Sequence, residues 1–261
     1  MVTKSLLPPV AIAAYVSSIL TIEYGGCISN FTIPLFANGS PTILFHDEKS
    51  IDQTGDPAYL SLLGQTVSPG QLSFNGPVTM IAYFLHPHAL KALFGIDAGE
   101  LTDRSIDLNY LEQAKQINLK EQLLNAANLN GRLGILNDFI LKLSAKDNYN
   151  NAKLAFATAA LKNNHNPNAL SDLQVKLNTS ERSLQRLFET NVGVSPKMFK
   201  RVWQFHAAFQ QLNKYQFDKL TDLAYQHGFA DQSHFIRVFK EFTNLTPKEY
   251  LQKSAPYNPK F

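Results

Sequence analysis

Two stretches of this sequence share one pattern: Leu-Gln-Arg-Leu-Phe at residues 184–188 and Phe-Ile-Arg-Val-Phe at residues 235–239. Each is an apolar-x-Arg-x-Phe motif, and the two are displaced by 51 residues. Ser-Pro-Lys-x-Phe at 195–199 returns as Thr-Pro-Lys-x-Tyr at 246–250 with the same displacement, and Leu-Ser-Asp-Leu at 170–173 returns as Leu-Thr-Asp-Leu at 220–223, displaced by 50. Because the pattern occurs twice, it indicates a duplicated supersecondary unit rather than a solenoid, which needs three or more copies.

Each copy predicts a helix, a tight turn and a second helix. Gly228 in the second copy and Asn178 in the first stand where the chain needs a left-handed residue to end the first helix. Ser180 is the expected N-cap of the second helix of the first copy. Two short helices joined by such a turn form a helix-turn-helix unit, whose second helix can enter the major groove of DNA.

A single helix is predicted between the two copies. It runs from Pro196 to Leu212, with Ser195 as its cap and proline in its first turn. Its 17 residues span about 25 Å, which suits two recognition helices placed about one DNA turn, or ~34 Å, apart. Its aromatic residues cover several sides, as expected if both units pack against it.

The polar residues of the second helices suit DNA recognition. Arginine matches the two acceptors of guanine, and glutamine matches the donor–acceptor pair of adenine. We expect base contacts from Arg182, Gln185 and Arg186 in the first unit and from Gln232, Ser233, His234 and Arg237 in the second. We expect phosphate contacts from Lys197, Lys200, Arg201, Lys240 and Lys248. The alternative for Arg186 and Arg237 is a structural ion pair with a nearby carboxylate.

Residues 168–253 resemble the DNA-binding domain of the AraC/XylS family of bacterial transcription regulators. The resemblance rests on Ser-x-Arg-x-Leu-x-Arg-x-Phe at 180–188, Gly-x-Ser-Pro at 193–196, Ala-x-x-x-Gly-Phe at 224–229, Phe-x-Arg-x-Phe-Lys at 235–240 and Thr-Pro-x-x-Tyr at 246–250. It implies two helix-turn-helix units on either side of a connecting helix, and the same base-contacting residues. It also implies promoter DNA and RNA polymerase as partners, and a preceding domain that senses an effector or dimerises.

Charge and glycine divide the chain into two parts. Residues 1–150 hold 9 Lys+Arg and 13 Asp+Glu, a net charge of −4, whereas residues 151–261 hold 15 and 8, a net charge of +7. Eleven of the 13 glycines lie in the first part. We therefore predict an N-terminal domain at 1–150, a helix and linker at 151–167, and a basic DNA-binding domain at 168–261.

The N-terminal part combines strand and helix patterns. β-branched or aromatic runs at 19–24, 42–45, 60–63 and 78–85 alternate with turn-forming clusters, which favours an antiparallel barrel or sandwich. Apolar residues then recur at helical spacing over 108–117 and 133–143, and a further helix is predicted over 152–161. The expected fold class is α+β with two domains, and this β-rich domain more weakly resembles one found in Bacteroidetes-type regulators, at Leu-Pro-Pro 7–9, Leu-Leu-Gly-Gln-Thr 62–66 and 84–95.

Several other classes find no support in the sequence. The single cysteine, Cys27, excludes an intrachain disulfide and a cysteine-rich zinc site, and no apolar run reaches ~20 residues. His86 and His88 have metal-like spacing without a nearby cysteine or carboxylate, so we expect no metal and no cofactor. We expect a cytoplasmic protein, not an enzyme, with a small-molecule effector or a homodimer formed through the helices within 106–146. The alternative, a small-molecule enzyme domain targeted by a DNA-binding module, lacks a catalytic motif.

Overall fold

The computed structural model describes residues 1–26, 31–48, 58–145, 152–162, 164, 166 and 168–253, in two regions that meet along one interface. The N-terminal region contains all eight strands of the described residues: β1 Val2–Leu6, β2 Val16–Tyr24, β3 Phe31–Leu35, β4 Thr42–His46, β5 Leu60–Leu63, β6 Gly70–Phe74, β7 Val78–Leu85 and β8 Ser105–Asp107. The expected α+β class is confirmed. Cys27 lies outside the described residues.

The described strands form two antiparallel sheets rather than a closed barrel. The larger sheet has the order β1-β2-β7-β4-β5-β8, and β3 pairs with β6 in a separate ribbon. Leu72 and Phe74 of the ribbon pack on Leu44 and Met80 of the larger sheet. The sandwich alternative of the sequence prediction therefore describes this domain.

Four strands lie where the apolar runs predicted them, namely β2, β4, β5 and β7. These strands occupy central positions in the larger sheet, and their residues are mostly buried. No comparable apolar run marks the other four strands, β1, β3, β6 and β8. These strands lie at the sheet edges or in the ribbon, and polar residues interrupt their apolar ones. β3 even contains Pro34, which a central strand excludes.

Helices cover the other face of the larger sheet. They are α1 Ala89–Phe94, α2 Ala98–Leu101, α3 Glu112–Lys115, α4 Leu119–Asn125 and α5 Leu129–Ser144, together with 3₁₀ turns at Val10–Ile12 and Leu108–Tyr110. Tyr83 of β7 lies beneath α5 and donates a hydrogen bond to Asn137 Oδ1 at 2.9 Å. α5 confirms the helical spacing over 133–143.

The helix expected over 108–117 is broken, and that prediction was wrong. The segment forms a 3₁₀ turn and the one-turn α3, and Asn118 then adopts a left-handed conformation with φ of 48°. Asp107 accepts a hydrogen bond from the Asn109 amide, which stabilises the 3₁₀ turn. Its apolar residues still pack against one hydrophobic cluster, Leu108 and Ala114 buried and Leu111 and Ile117 partly buried, because short turns can also repeat every three residues.

The C-terminal region is helical. Its elements are α6 Ala152–Lys162, α7 Ala169–Lys176, α8 Glu181–Asn191, α9 Pro196–Asn213, α10 Leu220–Gln226, α11 Gln232–Thr243 and α12 Pro247–Lys253. One hydrophobic cluster joins α6, α7, α8 and the start of α9, and a second joins the rest of α9 to α10, α11 and α12. The central helix α9 thus carries one core on each side, as its aromatic content predicted.

No helix in the described part of the chain is both long enough and apolar enough to cross a lipid bilayer.

Candidate nucleic-acid interface and the cavity behind it

The two candidate recognition helices, α8 and α11, begin at matched caps. Ser180 Oγ accepts from the Ser183 amide at 3.3 Å, and Asp231 Oδ1 accepts from the His234 amide at 2.6 Å. The caps are 51 residues apart, as are the helix starts Glu181 and Gln232. The displacement seen in the sequence therefore holds residue by residue along both helices.

Both turns adopt the left-handed conformation that the sequence predicted. Asn178 has φ of 45° and Gly228 has φ of 74°. Ser195 caps α9 through its hydroxyl, which accepts from the Met198 amide at 3.2 Å, and Pro196 is the first residue of the helix. The two helix-turn-helix units and the connecting helix are thus built from the expected local signals.

The first unit presents its predicted base-contacting residues to solvent. Arg182, Gln185 and Arg186 are exposed along one face of α8, whereas Leu184 and Phe188 are buried. Gln185 Nε2 donates to Glu189 Oε1 at 2.8 Å. Among the described residues, neither arginine forms a salt bridge. The structural ion pair considered for Arg186 is therefore not seen in this part of the chain.

The second unit presents a smaller polar set. Ser233 and Arg237 are exposed on α11, and Arg237 has no salt bridge with any described residue. Gln232 Oε1 accepts from Thr221 Oγ1 at 2.8 Å, which ties the side chain to α10. His234 Nδ1 accepts from the Ala230 amide at 3.3 Å. Two of the four predicted residues therefore make contacts within the unit.

The five candidate phosphate-binding residues divide into two groups. Lys197, Lys240 and Lys248 are exposed and form no salt bridge with a described residue. Lys200 Nζ instead donates to the Asn166 carbonyl at 2.5 Å, and desolvation lowers the pKa of Lys200. Arg201 donates two hydrogen bonds to the Glu241 carboxylate, one of them at 2.7 Å. A DNA phosphate would therefore compete with an existing contact only at Lys200 and Arg201. The phosphate contacts of all five residues stay predictions.

The N-terminal domain contacts both helix-turn-helix units. Phe36, next to β3, packs edge-on against Phe209 of α9 at 5.5 Å and against Tyr250 of α12 at 5.8 Å between ring centroids. On the other side, Thr102 Oγ1 donates to the Gly193 carbonyl at 2.8 Å, just beyond the end of α8. The N-terminal domain therefore contacts the C-terminal region at two separate places, through Phe36 after β3 and through Thr102 at the end of α2.

An apolar cavity of about 40 Å³ lies at this interface. Its walls come from the β3–β6 ribbon, from the inner face of β4 and β7, and from His206 and Phe209 of α9. Sequence reasoning missed this site because residues from both domains form it, and no contiguous motif marks it. The polar groups among its lining residues are few: Asn38, Thr42, Thr66 and His206.

A group of basic side chains lies beside the cavity. Lys162 Nζ of α6 lies 4.0 Å from the centroid of the Trp203 ring, and the His206 ring meets the same indole at 5.4 Å between centroids. Burial lowers the pKa of Lys162 to about 8. Burial, and then the charge of Lys162, lowers the pKa of both His206 and His86 to about 4. The interface therefore favours neutral imidazoles.

Comparison with known proteins identifies the C-terminal region. Residues 173–253 match the family described as a helix-turn-helix domain, which is of the AraC type. Residues 173–253 form an AraC-type helix-turn-helix domain. Curated relatives include uncharacterized HTH-type transcriptional regulators of Staphylococcus aureus strains MSSA476 and MRSA252, each 35% identical over 103 residues. That match covers 36% of this chain but 14% of each relative, so the relatives share only a part of their length with it.

The region before the AraC-type domain has a separate match. Residues 4–107 match a domain of unknown function, DUF6597. Among solved structures, ToxT from Vibrio cholerae superposes with a TM-score of 0.53 at 17% identity, covering 90% of this chain and 98% of that one. At this identity the likeness shows the fold alone: a β-rich domain followed by a helical domain.

One recognition-helix residue was absent from the sequence prediction. Because the two copies of the repeat are displaced by 51 residues, Ile236 of α11 occupies the position that Gln185 occupies in α8. The repeat contains this signal, but isoleucine has no hydrogen-bonding group in its side chain and so does not fit the pattern of base-reading polar residues.

Proposed function

We propose that this chain is a transcription regulator that binds specific promoter DNA by placing α8 and α11 in the major groove. One observation supports the proposal most strongly: Arg186 of α8 and Arg237 of α11 are both exposed at matched positions of the repeat. Neither forms a salt bridge with a described residue. The 18 residues of α9 extend over about 27 Å, which is close to the ~34 Å of one DNA turn.

The charge distribution supports the same conclusion. The net charge of +7 lies in residues 151–261, whereas residues 1–150 carry −4. A basic domain attracts the phosphate backbone, and an acidic one is repelled from it. Lys197, Lys240 and Lys248 are the exposed lysines that we propose as phosphate contacts. Contacts with RNA polymerase and dimerisation through residues 106–146 remain predictions from the resemblance and the sequence.

Selection of bound duplexes from a random DNA pool tests the proposal on the full chain. We expect one recurring sequence with two half-sites spaced by about one helical turn. Arg182→Ala should relax base preference in one half-site and Arg237→Ala in the other, each by about 1–3 kcal/mol. Lys142→Ala, an exposed cation on α5, is the matched control and should change nothing. Equal affinity for all duplexes at moderate salt would refute sequence-specific recognition.

We further propose that the N-terminal domain senses a small apolar molecule in the interface cavity. Support comes from its walls, which belong to both domains and are almost wholly apolar. A volume of about 40 Å³ accommodates only a few atoms, since a benzene-binding cavity measures about 150 Å³. A larger ligand must therefore displace a wall of the cavity, and in this proposal the wall that moves is α9, which carries both units.

Binding of the neutral fluorescent probe N-phenyl-1-naphthylamine tests the cavity. We expect probe binding to the full chain and its loss in Ala82→Phe, which places a ring in the cavity. Ala127→Phe, at an exposed position that does not belong to the lining, should bind the probe as the parent does. Equal binding by both variants would place the probe elsewhere and refute the sensing site.

A further inference from the structure

Ile236 stands on the outward face of the second recognition helix. Ser233, three residues before it, and Arg237, one residue after it, are both exposed. Phe235 and Val238, by contrast, are buried in the protein core. Residues three and four apart share a helix face, so Ile236 lies beside Ser233 along the side that solvent reaches.

The isoleucine side chain does not belong to the core of its unit. It is partly buried, yet it is not a member of any hydrophobic cluster formed by the described residues. Neighbouring apolar residues of α11, such as Phe235 and Phe239, are fully buried in the cluster shared with α9. The hydrophobic clusters of the described residues therefore do not account for an aliphatic side chain at this position.

The repeat supplies a functional reason. Ile236 occupies in α11 the position that Gln185 occupies in α8, since the caps Ser180 and Asp231 and the helix starts maintain the displacement of 51. Gln185 is exposed at the position expected to meet a base edge. The same position in the second unit carries a group that neither donates nor accepts a hydrogen bond.

We propose that Ile236 is a specificity-determining residue that selects thymine by packing against its 5-methyl group, an inference that rests on the proposed DNA binding. The thymine methyl is the apolar group that a base pair presents in the major groove. Gln185 instead matches adenine. The two half-sites then differ at equivalent positions, which gives the bound protein a defined orientation on the operator.

The neighbours of Ile236 strengthen this assignment. Gln232 Oε1 accepts a hydrogen bond from Thr221, and His234 Nδ1 accepts one from the Ala230 amide, so each side chain has one polar atom engaged within the unit. Ser233 and Arg237 are exposed, and Ile236 is the apolar residue that lies next to them on α11. Because Arg237 follows Ile236 directly and arginine matches guanine, the second half-site should contain thymine close to guanine.

Replacement of single thymines by deoxyuridine in the selected duplex tests the inference with the full chain. This change removes one methyl group and leaves the hydrogen-bonding pattern of the base intact. The second half-site is located first, as the one in which Arg237→Ala relaxes base preference. At one thymine of this second half-site, we expect replacement by deoxyuridine to weaken binding about fourfold. This factor corresponds to the ~0.8 kcal/mol that burial of one methylene-sized group contributes.

Two variants separate the role of Ile236 from general damage. Ile236→Ala should bind the thymine and deoxyuridine duplexes equally, whereas Gln185→Ala should retain the fourfold difference. Equal binding of both duplexes by the parent chain at every thymine, or the same fourfold loss in Ile236→Ala, would overturn the inference while leaving the proposed function intact. Failure to select any duplex would instead refute the proposed function, and the inference with it.

Discussion

Acidification should open the interface between the two domains. The pKa of His206 and that of His86 lie near 4 in the folded chain, because burial disfavours the imidazolium and Lys162 repels it. In a separated or unfolded chain both return to about 6.5. Below pH 6.5 the open state therefore binds more protons than the closed one, and stability falls as the pH falls from 6.5 towards 4.

The size of the effect follows from the two pKa values. Between pH 7 and pH 5 a histidine shifted from about 6.5 to about 4 loses ~2 kcal/mol of stabilisation. His206, which lies against Trp203, should show most of this loss. His86 is more accessible to solvent, so screening reduces its share, and we expect about 3 kcal/mol for the two together. Lys162, with a pKa of about 8, stays charged throughout this range.

The chain contains a single tryptophan, Trp203, which lies at the interface and reports on it directly. Urea titrations followed by its fluorescence, at pH 7 and at pH 5, measure the free energy of unfolding around this interface. In His206→Gln the pH-dependent loss should shrink by about 2 kcal/mol. Burial also lowers the pKa of His46, at the end of β4, and that contribution should remain in the variant. Parallel pH dependence in parent and variant would refute the reasoning.

Two further changes probe the interface and the recognition helix. Gly39→Ala should destabilise the chain by about 1–3 kcal/mol in urea unfolding, because Gly39 has φ of 69° and an added Cβ would lie 2.7 Å from Trp203 Nε1. Gly76→Ala, where no atom lies within 4 Å, is its control, and an equal loss in both would contradict the explanation. Asp231→Ala should cost about 1 kcal/mol by removing the α11 cap, whereas a thermal midpoint equal to that of the parent would show that the cap is dispensable.

Local signals explain why the C-terminal region was predictable. A left-handed Asn178 or Gly228, a capping Ser180 and a proline in the first turn of α9 each act over a few residues. The duplication then repeats the same information at a known distance. The helix bounds followed from these features, as did the exposure of Arg182 and Arg186.

Edge strands and short helices were less predictable. β1 and β8 bury few side chains, so they carry little hydrophobic pattern. The three-residue spacing over 108–117 fits an α-helix and a series of short turns equally well, and Asn118 with its positive φ decides for the turns. Such choices depend on what packs above the segment rather than on the segment itself.

The sequence by itself determined the two helix-turn-helix units, their caps and the division of charge, because each depends on neighbouring residues or on a simple count. Only the tertiary structure decided which polar side chains of α11 turn inward, that Arg201 pairs with Glu241, and that a cavity forms between β7 and α9. Those features join residues from 11 positions apart, for Thr221 and Gln232, to 176 positions apart, for Ile33 and Phe209. Contacts over such distances arise from packing, and packing leaves no mark in any single stretch of sequence.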